Sequence, residues 1–180
     1  ILTTDDEELL QYTYRISNLI KEKRTSELAD DSTRMKDVIR NILNNYGSET
    51  TLVILLQPTT PFRNPKRIAK YIELIYKKIG QVPASIVSTT SCKINPIHIY
   101  SSRKNKLEPI LPAFAGKSLN NQEIEKFFIL TGGLYVFWRK YFINSNSIFH
   151  GDLYNFKVSG KYSIDIDTKE DLVELRKFIN

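Results

Sequence analysis

The chain has 180 residues, 41% hydrophobic and 26% charged, which provides enough apolar material for a packed core and excludes a disordered polyampholyte. No apolar run approaches the length of a membrane span and no signal-peptide pattern opens the chain, while the single cysteine, Cys92, excludes an intramolecular disulfide and fits a reducing compartment. The net charge of +6 suits anionic ligands, but Lys and Arg are scattered rather than clustered among aromatics, which speaks against a nucleic-acid-binding domain.

The first residue is Ile1 and the one methionine is Met35. Ile1-Leu2 reads as the end of a strand. Thr4-Asp5-Asp6-Glu7 has the spacing of a capping box and predicts a helix to about Lys23. Arg24 opens a polar loop as a fixed cation able to bond a base carbonyl or a phosphate, or simply as an exposed arginine. Asp31 or Ser32 then caps a helix that runs to about Asn45.

Leu52 to Leu56 are five consecutive apolar residues, the pattern of a strand buried on both faces. Gln57-Pro58 stops it, and Asn64-Pro65 supplies an N-cap and a first-turn proline for a helix over Pro65–Ile79. Ile68, Ile72 and Ile75 share one face of that helix. Such a βα loop, at the carboxyl end of a parallel strand, is where ligands collect in open α/β sheets. It aims Gln57, Thr59, Thr60 and Arg63 at a crevice.

Ala84 to Thr89 is a further strand, and Ile99 to Leu111 a hairpin turning at Lys104-Asn105-Lys106. Gly132-Gly133 either lets backbone approach a ligand or forms a bulge, and Tyr135 is either a ligand contact or a core aromatic. Ser163-Ile164-Asp165-Ile166-Asp167-Thr168 places two carboxylates on one side of an extended segment, with Ile164 and Ile166 turned to the core. Paired carboxylates so placed can hold one Mg²⁺. Capping of the last helix, with Thr168 to Asp171 at capping-box spacing, explains Thr168 and Asp167 but not Asp165.

Two stretches resemble one family. LLQPTTPFR, Leu55 to Arg63, is similar to the LLQPTSPLR of the CMP-sialic acid synthetases (acylneuraminate cytidylyltransferases), and Ser163 to Thr168 is similar to their SIDIDT. Weaker likenesses link Arg24 to Thr33 with RPAELATDTA, Asn120 to Glu123 with NRQE, and Thr131 to Phe137 with NGAIYVF. The resemblance implies a three-layer α/β nucleotide-diphospho-sugar transferase (Rossmann-like) fold with a mostly parallel sheet in a single domain. It implies N-terminal truncation, because the family's first strand and Gly/Lys-rich phosphate loop (IPARGGSKG) have no counterpart here. It further implies a reaction of CTP with a nine-carbon 2-keto sugar acid, giving the CMP-sugar and pyrophosphate.

By the same resemblance, Asp165 and Asp167 hold the catalytic Mg²⁺, and Arg24, Ser32 and Thr33 contact the nucleotide. Gln57, His98, Asn121, Thr131, Tyr135 and Phe149 line the sugar pocket, and residues of about 97–128 form a homodimerisation arm. Departures fall in the sugar half: Asn121 replaces an arginine, Thr131 an asparagine, and His98 stands near a lysine's place. They imply a different acid sugar or a non-catalytic remnant that only folds or binds a partner.

Overall fold

A computed structural model describes residues 1–80, 82–112 and 126–179, and the chain divides into two compact units, Ile1–Thr51 with Arg139–Ile148 and Leu52–Trp138 with Phe149–Asn180. In the first unit, β1 (Leu2–Thr4) pairs in parallel with β2 (Lys21–Lys23). Helix α1 covers only Glu7–Tyr12, followed by a 3₁₀ turn over Thr13–Arg15. The helix expected to reach Lys23 therefore ends a turn and a half in. Thr13 is the cause: its hydroxyl donates back to the Leu9 carbonyl at 2.8 Å and so competes with the helical ladder. Pairing with β1 then holds residues 21–23 extended. The cap also moves, since Asp6 rather than Thr4 accepts from the Leu9 amide, and Glu7 is paired with Lys23.

A short helix α2 (Ser26–Ala29) precedes α3 (Met35–Asn45), which buries Val38, Ile39 and Leu43. Neither Asp31 nor Ser32 caps α3; Arg34 stands at its N-cap without a side-chain bond. The local polar groups are spent one turn earlier, where the Asp30 carboxylate accepts from the Ser32 amide at 2.8 Å and from its hydroxyl. Helix α5 (Arg139–Ser145) completes the unit, with Phe142 fully buried beneath the Arg40 guanidinium.

The second unit is built on a four-stranded sheet in the order β3-β7-β4-β8, with β3 (Leu52–Leu55), β4 (Ala84–Ser91), β7 (Phe128–Trp138) and β8 (Asp152–Lys157). Strands β3, β4 and β8 run one way; β7 runs against both of its neighbours. The sheet is therefore mixed, and β3 makes its ladder with an antiparallel partner. Among the described residues β3 lies at one end of the order. That placement leaves Ile54 48% and Leu56 47% exposed, against the expectation of a strand buried on both faces.

Helix α4 (Pro65–Ile79) starts as its sequence dictates, the Asn64 side chain accepting from the Arg67 amide at 3.0 Å with proline in the first turn. Its Ile72 and Ile75 join Ile86, Leu134, Val136, Phe156 and Val158 in the core, with Ile68 packed alongside. Each such burial is worth about 1.5–3 kcal/mol. The hairpin of β5 (Tyr100–Arg103) and β6 (Lys106–Pro109) turns at Lys104-Asn105, both at positive φ as a two-residue hairpin turn requires. Helix α6 (Lys169–Arg176) opens with the expected capping box of Thr168 and Asp171.

Two predictions follow from these elements. Gly151 sits at φ +51°, and a Cβ there would meet the Pro83 carbonyl oxygen at 1.8 Å. Gly151→Ala should therefore cost about 3 kcal/mol or more, read as a lowered urea midpoint. The Asp171 carboxyl is held below the usual aspartate range by the Thr168 hydroxyl, then by the Thr168 and Asp167 amides. A depressed folded value means that the box stabilises α6 above the unfolded pKa and is lost as pH falls through the folded one. A carbon-detected NMR titration should find Asp171 low in the wild type and returned upward in Thr168→Val.

Candidate active site

The site grows from a break in the sheet. From the pair Thr89–Leu130 to the pair Val87–Tyr135, β4 advances two residues and β7 five, so Thr131 to Leu134 bulge out of the ladder. Backbone groups freed in a buried place need new partners, and Ser88 supplies them. Its hydroxyl accepts from the Leu134 amide at 2.8 Å and from the Thr131 hydroxyl at 2.8 Å. Ser88 and Thr131 are each 3% exposed. Gly132, at φ +70°, makes the turn of the bulge, which settles the alternatives for the glycine pair in favour of a bulge that also brings backbone against polar side chains.

The loop after β3 lies over this bulge. The Thr60 hydroxyl reaches the Thr131 carbonyl at 3.1 Å and Asp165 Oδ1 at 3.3 Å. Arg63 is tied back on the same backbone, its Nε donating to the Gly133 carbonyl at 3.2 Å and its Nη2 to the Gln57 carbonyl. Burial pulls the Arg63 guanidinium below its ordinary range. The Thr59 carbonyl accepts from the Ile166 amide at 2.9 Å, which fastens the Asp165 segment to the loop. A largely apolar pocket beside the loop is lined by Thr60, Phe62, Arg63, Ser88, Gly133 and Tyr162 among others; of the four loop residues expected to face a crevice, Thr60 and Arg63 line it and Gln57 and Thr59 do not.

Asp165 is half-buried, and its second oxygen turns toward Gly132. A Cβ at that glycine would lie 2.9 Å from Asp165 Oδ2 and 3.3 Å from Gln57 Oε1, so both side chains converge over bare backbone. Tyr135 belongs to the same neighbourhood. Its phenol is pushed up first by burial and then by the charge of Asp165. Its ring meets Phe149 edge-on, with centroids 6.2 Å apart. Gln57, Asp165, Tyr135 and Phe149 are thus gathered into one place by a strand break, a loop and a C-terminal segment far apart in sequence.

The remaining residues singled out in the sequence are placed differently. Residues 164–167 form no strand; Ile164 and Ile166 are half-buried, and Asp167 is exposed, its amide donating to Asp171 Oδ2 at 3.1 Å. Thr131 sits in the site, but its hydroxyl faces inward to Ser88. His98 is exposed, at the end of a 3₁₀ turn over Pro96–His98. Asn121 lies outside the described residues. Arg24, Ser32 and Thr33 belong to the first unit. There the Arg24 Nη2 pairs with Asp5 at 2.8 Å while its buried Nε has no hydrogen-bond partner among the described residues, and the Thr33 hydroxyl donates to the Glu27 carbonyl at 2.7 Å. Ser88 was not singled out. Its signal was a serine inside a run of apolar and β-branched residues, Ala84 to Thr90, where only a partnered hydroxyl can be buried cheaply.

Among the described residues no group of three or more His, Cys, Asp or Glu side chains could hold a metal ion. Asp165 Oδ2 and the Gln57 amide oxygen converge over Gly132, while no described contact brings the Asp167 carboxylate to them; oxygen donors of this kind are what a hard cation takes when it keeps water and phosphate oxygens as further ligands. The donor set therefore fits Mg²⁺.

The contact over Gly132 is testable. Gly132→Ala would drive a methyl into Asp165 at a φ that disfavours side chains, and should cost about 1–3 kcal/mol of stability while displacing the carboxylate. Chemical denaturation reads the first effect, and a crystal structure of the variant the second.

No family model matches the chain. It is 27% identical over 177 residues to the CMP-N,N'-diacetyllegionaminic acid synthase of Legionella pneumophila, covering 95% of this chain and 73% of that protein. It is 23% identical over 152 residues to the N-acylneuraminate cytidylyltransferase of Streptococcus agalactiae serotype III, covering 84% of this chain. The chain spans about a third of the length of that streptococcal relative, 36%. A third relative, 19% identical over 176 residues, is the post-translational flagellin modification protein B of Campylobacter coli. No helix among the described residues is long and apolar enough to cross a membrane. Through most of its length the chain is thus similar to an N-acylneuraminate cytidylyltransferase and to a CMP-N,N'-diacetyllegionaminic acid synthase.

Proposed function

We propose that the chain is the cytidylyltransferase domain of an enzyme that couples CTP to a sialic-acid-like nonulosonic acid. The observation that carries this reading is the convergence of Asp165 and Gln57 over Gly132, with the Thr60 hydroxyl on Asp165 and the Tyr135–Phe149 aromatic pair nearby. The products are the CMP-sugar and pyrophosphate. The anomeric hydroxyl of the sugar acid forms the new bond to the α-phosphorus, the bond to the β-phosphoryl oxygen breaks, and the hydroxyl proton passes to solvent or a nearby base.

Each residue then has a role in binding or orientation. Asp165 and Asp167 would hold a Mg²⁺ ion, which when bound offsets charge developing on the α-phosphate. Gln57 presents its amide to sugar hydroxyls, and Tyr135 with Phe149 provides an aromatic wall for an N-acyl group. His98 and Asn121 are assigned to the sugar's polar end, and Thr131 acts through its backbone because its hydroxyl is engaged by Ser88. Arg24 contacts the nucleotide, its buried Nε, without a hydrogen-bond partner among the described residues, being a donor a base or phosphate oxygen would satisfy. Ser32 and Thr33 shape the same loop. Catalysis would rest on positioning and charge neutralisation rather than on a covalent intermediate.

The β5–β6 hairpin supports the homodimeric part of the proposal. Its strands are exposed on both faces apart from Pro109, and Leu107 is 69% exposed, so its apolar side chains would be covered by a second copy. The enzyme would work in the cytoplasm, supplying precursors of surface polysaccharide. A second reading, a subunit that binds without turnover, is favoured by the commitment of Thr131 to Ser88 where the family carries an asparagine.

The deciding measurement is pyrophosphate release by the full-length protein from CTP and Mg²⁺ with a panel of nonulosonic acids. The expected result is release with at least one acid and a loss of about 10²-fold or more in Asp165→Ala. Binding of CTP without release from any acid would replace this reading by the second.

A further inference from the structure

Resting on that reading, we propose that Thr60 is a positioning residue that sets the orientation of the Asp165 carboxylate, with Gly133 locking its rotamer. Thr60 is 1% exposed and carries one hydroxyl proton, shared between the Thr131 carbonyl at 3.1 Å and Asp165 Oδ1 at 3.3 Å. An ionised carboxylate can only accept, so the proton on that line comes from Thr60. The methyl group has an equally specific seat. Thr60 Cγ2 lies 2.9 Å from where a Cβ of residue 133 would stand, so only glycine at 133 admits it in this rotamer.

The backbone completes the arrangement. The Ile166 amide donates to the Thr59 carbonyl at 2.9 Å, so the residues adjoining Thr60 and Asp165 are already fastened to each other. What the backbone leaves undecided is rotation of the carboxylate about its own side-chain bonds. Thr60 decides it by holding Oδ1 to the buried side, which leaves Oδ2 over Gly132 beside Gln57 Oε1. A reactive carboxylate is useful only when held by a group whose own rotamer is locked. Thr60 never touches substrate in this scheme and acts through Asp165 alone.

The test separates hydroxyl from methyl. Thr60→Val keeps the packing and removes the donor; Thr60→Ser keeps the donor and removes the packing. Binding of Mn²⁺ alone, read by electron paramagnetic resonance, should weaken about tenfold in Thr60→Val and stay within about twofold in Thr60→Ser, tenfold being what about 1.4 kcal/mol amounts to. In turnover, Thr60→Val should lower kcat with the KM of the sugar acid unchanged. Wild-type Mn²⁺ affinity in Thr60→Val, or equal weakening in both variants, would overturn the proposal.

If the wild type binds no Mn²⁺ and releases no pyrophosphate, the cytidylyltransferase reading fails, and a urea-unfolding cycle judges the contact separately. There the proposal stands if Thr60→Val lowers the folding constant about fivefold more in the wild-type background than in Asp165→Ala. It falls if the two substitutions are additive.

Discussion

A strand that leaves its ladder inside a protein must find other partners for its amides and carbonyls, and the second unit depends on how that requirement is met at Thr131 to Leu134. The ladder between β4 and β7 is regular on both sides of the break. One buried hydroxyl, that of Ser88, takes up the Leu134 amide and the Thr131 hydroxyl. The Gly133 carbonyl is taken by Arg63 and the Thr131 carbonyl by Thr60. Leaving any one of these groups bare would cost about 1–3 kcal/mol, so the loop after β3 is fixed by the same bonds that make the break affordable.

The chemistry of the site is a consequence of that accommodation. A bulge with glycine at its turn exposes backbone where a regular strand would present side chains, and Asp165 and Gln57 occupy the space. Arg63, an obvious candidate for binding an anion, is instead employed as a brace on two carbonyls, and its burial disfavours the charge. Asp165 and Asp167, which the sequence presents as an equivalent pair, are separated by role as well as exposure. One lies against Thr60, while the amide of the other joins the capping arrangement of α6.

Local signals in the sequence carried those elements whose causes are local. Asn64-Pro65 started α4 and its isoleucines faced the core; Thr168 and Asp171 capped α6; Lys104-Asn105 turned the hairpin. In each case the deciding bonds span four residues or fewer, so the sequence alone suffices. The helix expected between Thr4 and Lys23 stops at Tyr12 because its second half is claimed by a partner, β1, and because the Thr13 hydroxyl competes with the helix from within.

The sequence by itself determined the family motifs, the anionic character of the ligands to be expected and the identity of the polar residues to watch. Only the tertiary structure decided that β7 runs against its neighbours, that Leu52 to Leu55 lie at one end of the described sheet, and that Thr131 turns inward to Ser88. It also decided that Gln57, Thr60, Gly132 and Asp165 meet. The reason is physical: strand direction and the pairing of buried polar groups are settled between segments distant in the chain, 43 residues apart for Ser88–Thr131, 71 for Thr60–Thr131 and 105 for Thr60–Asp165. No periodicity within either segment records its partner.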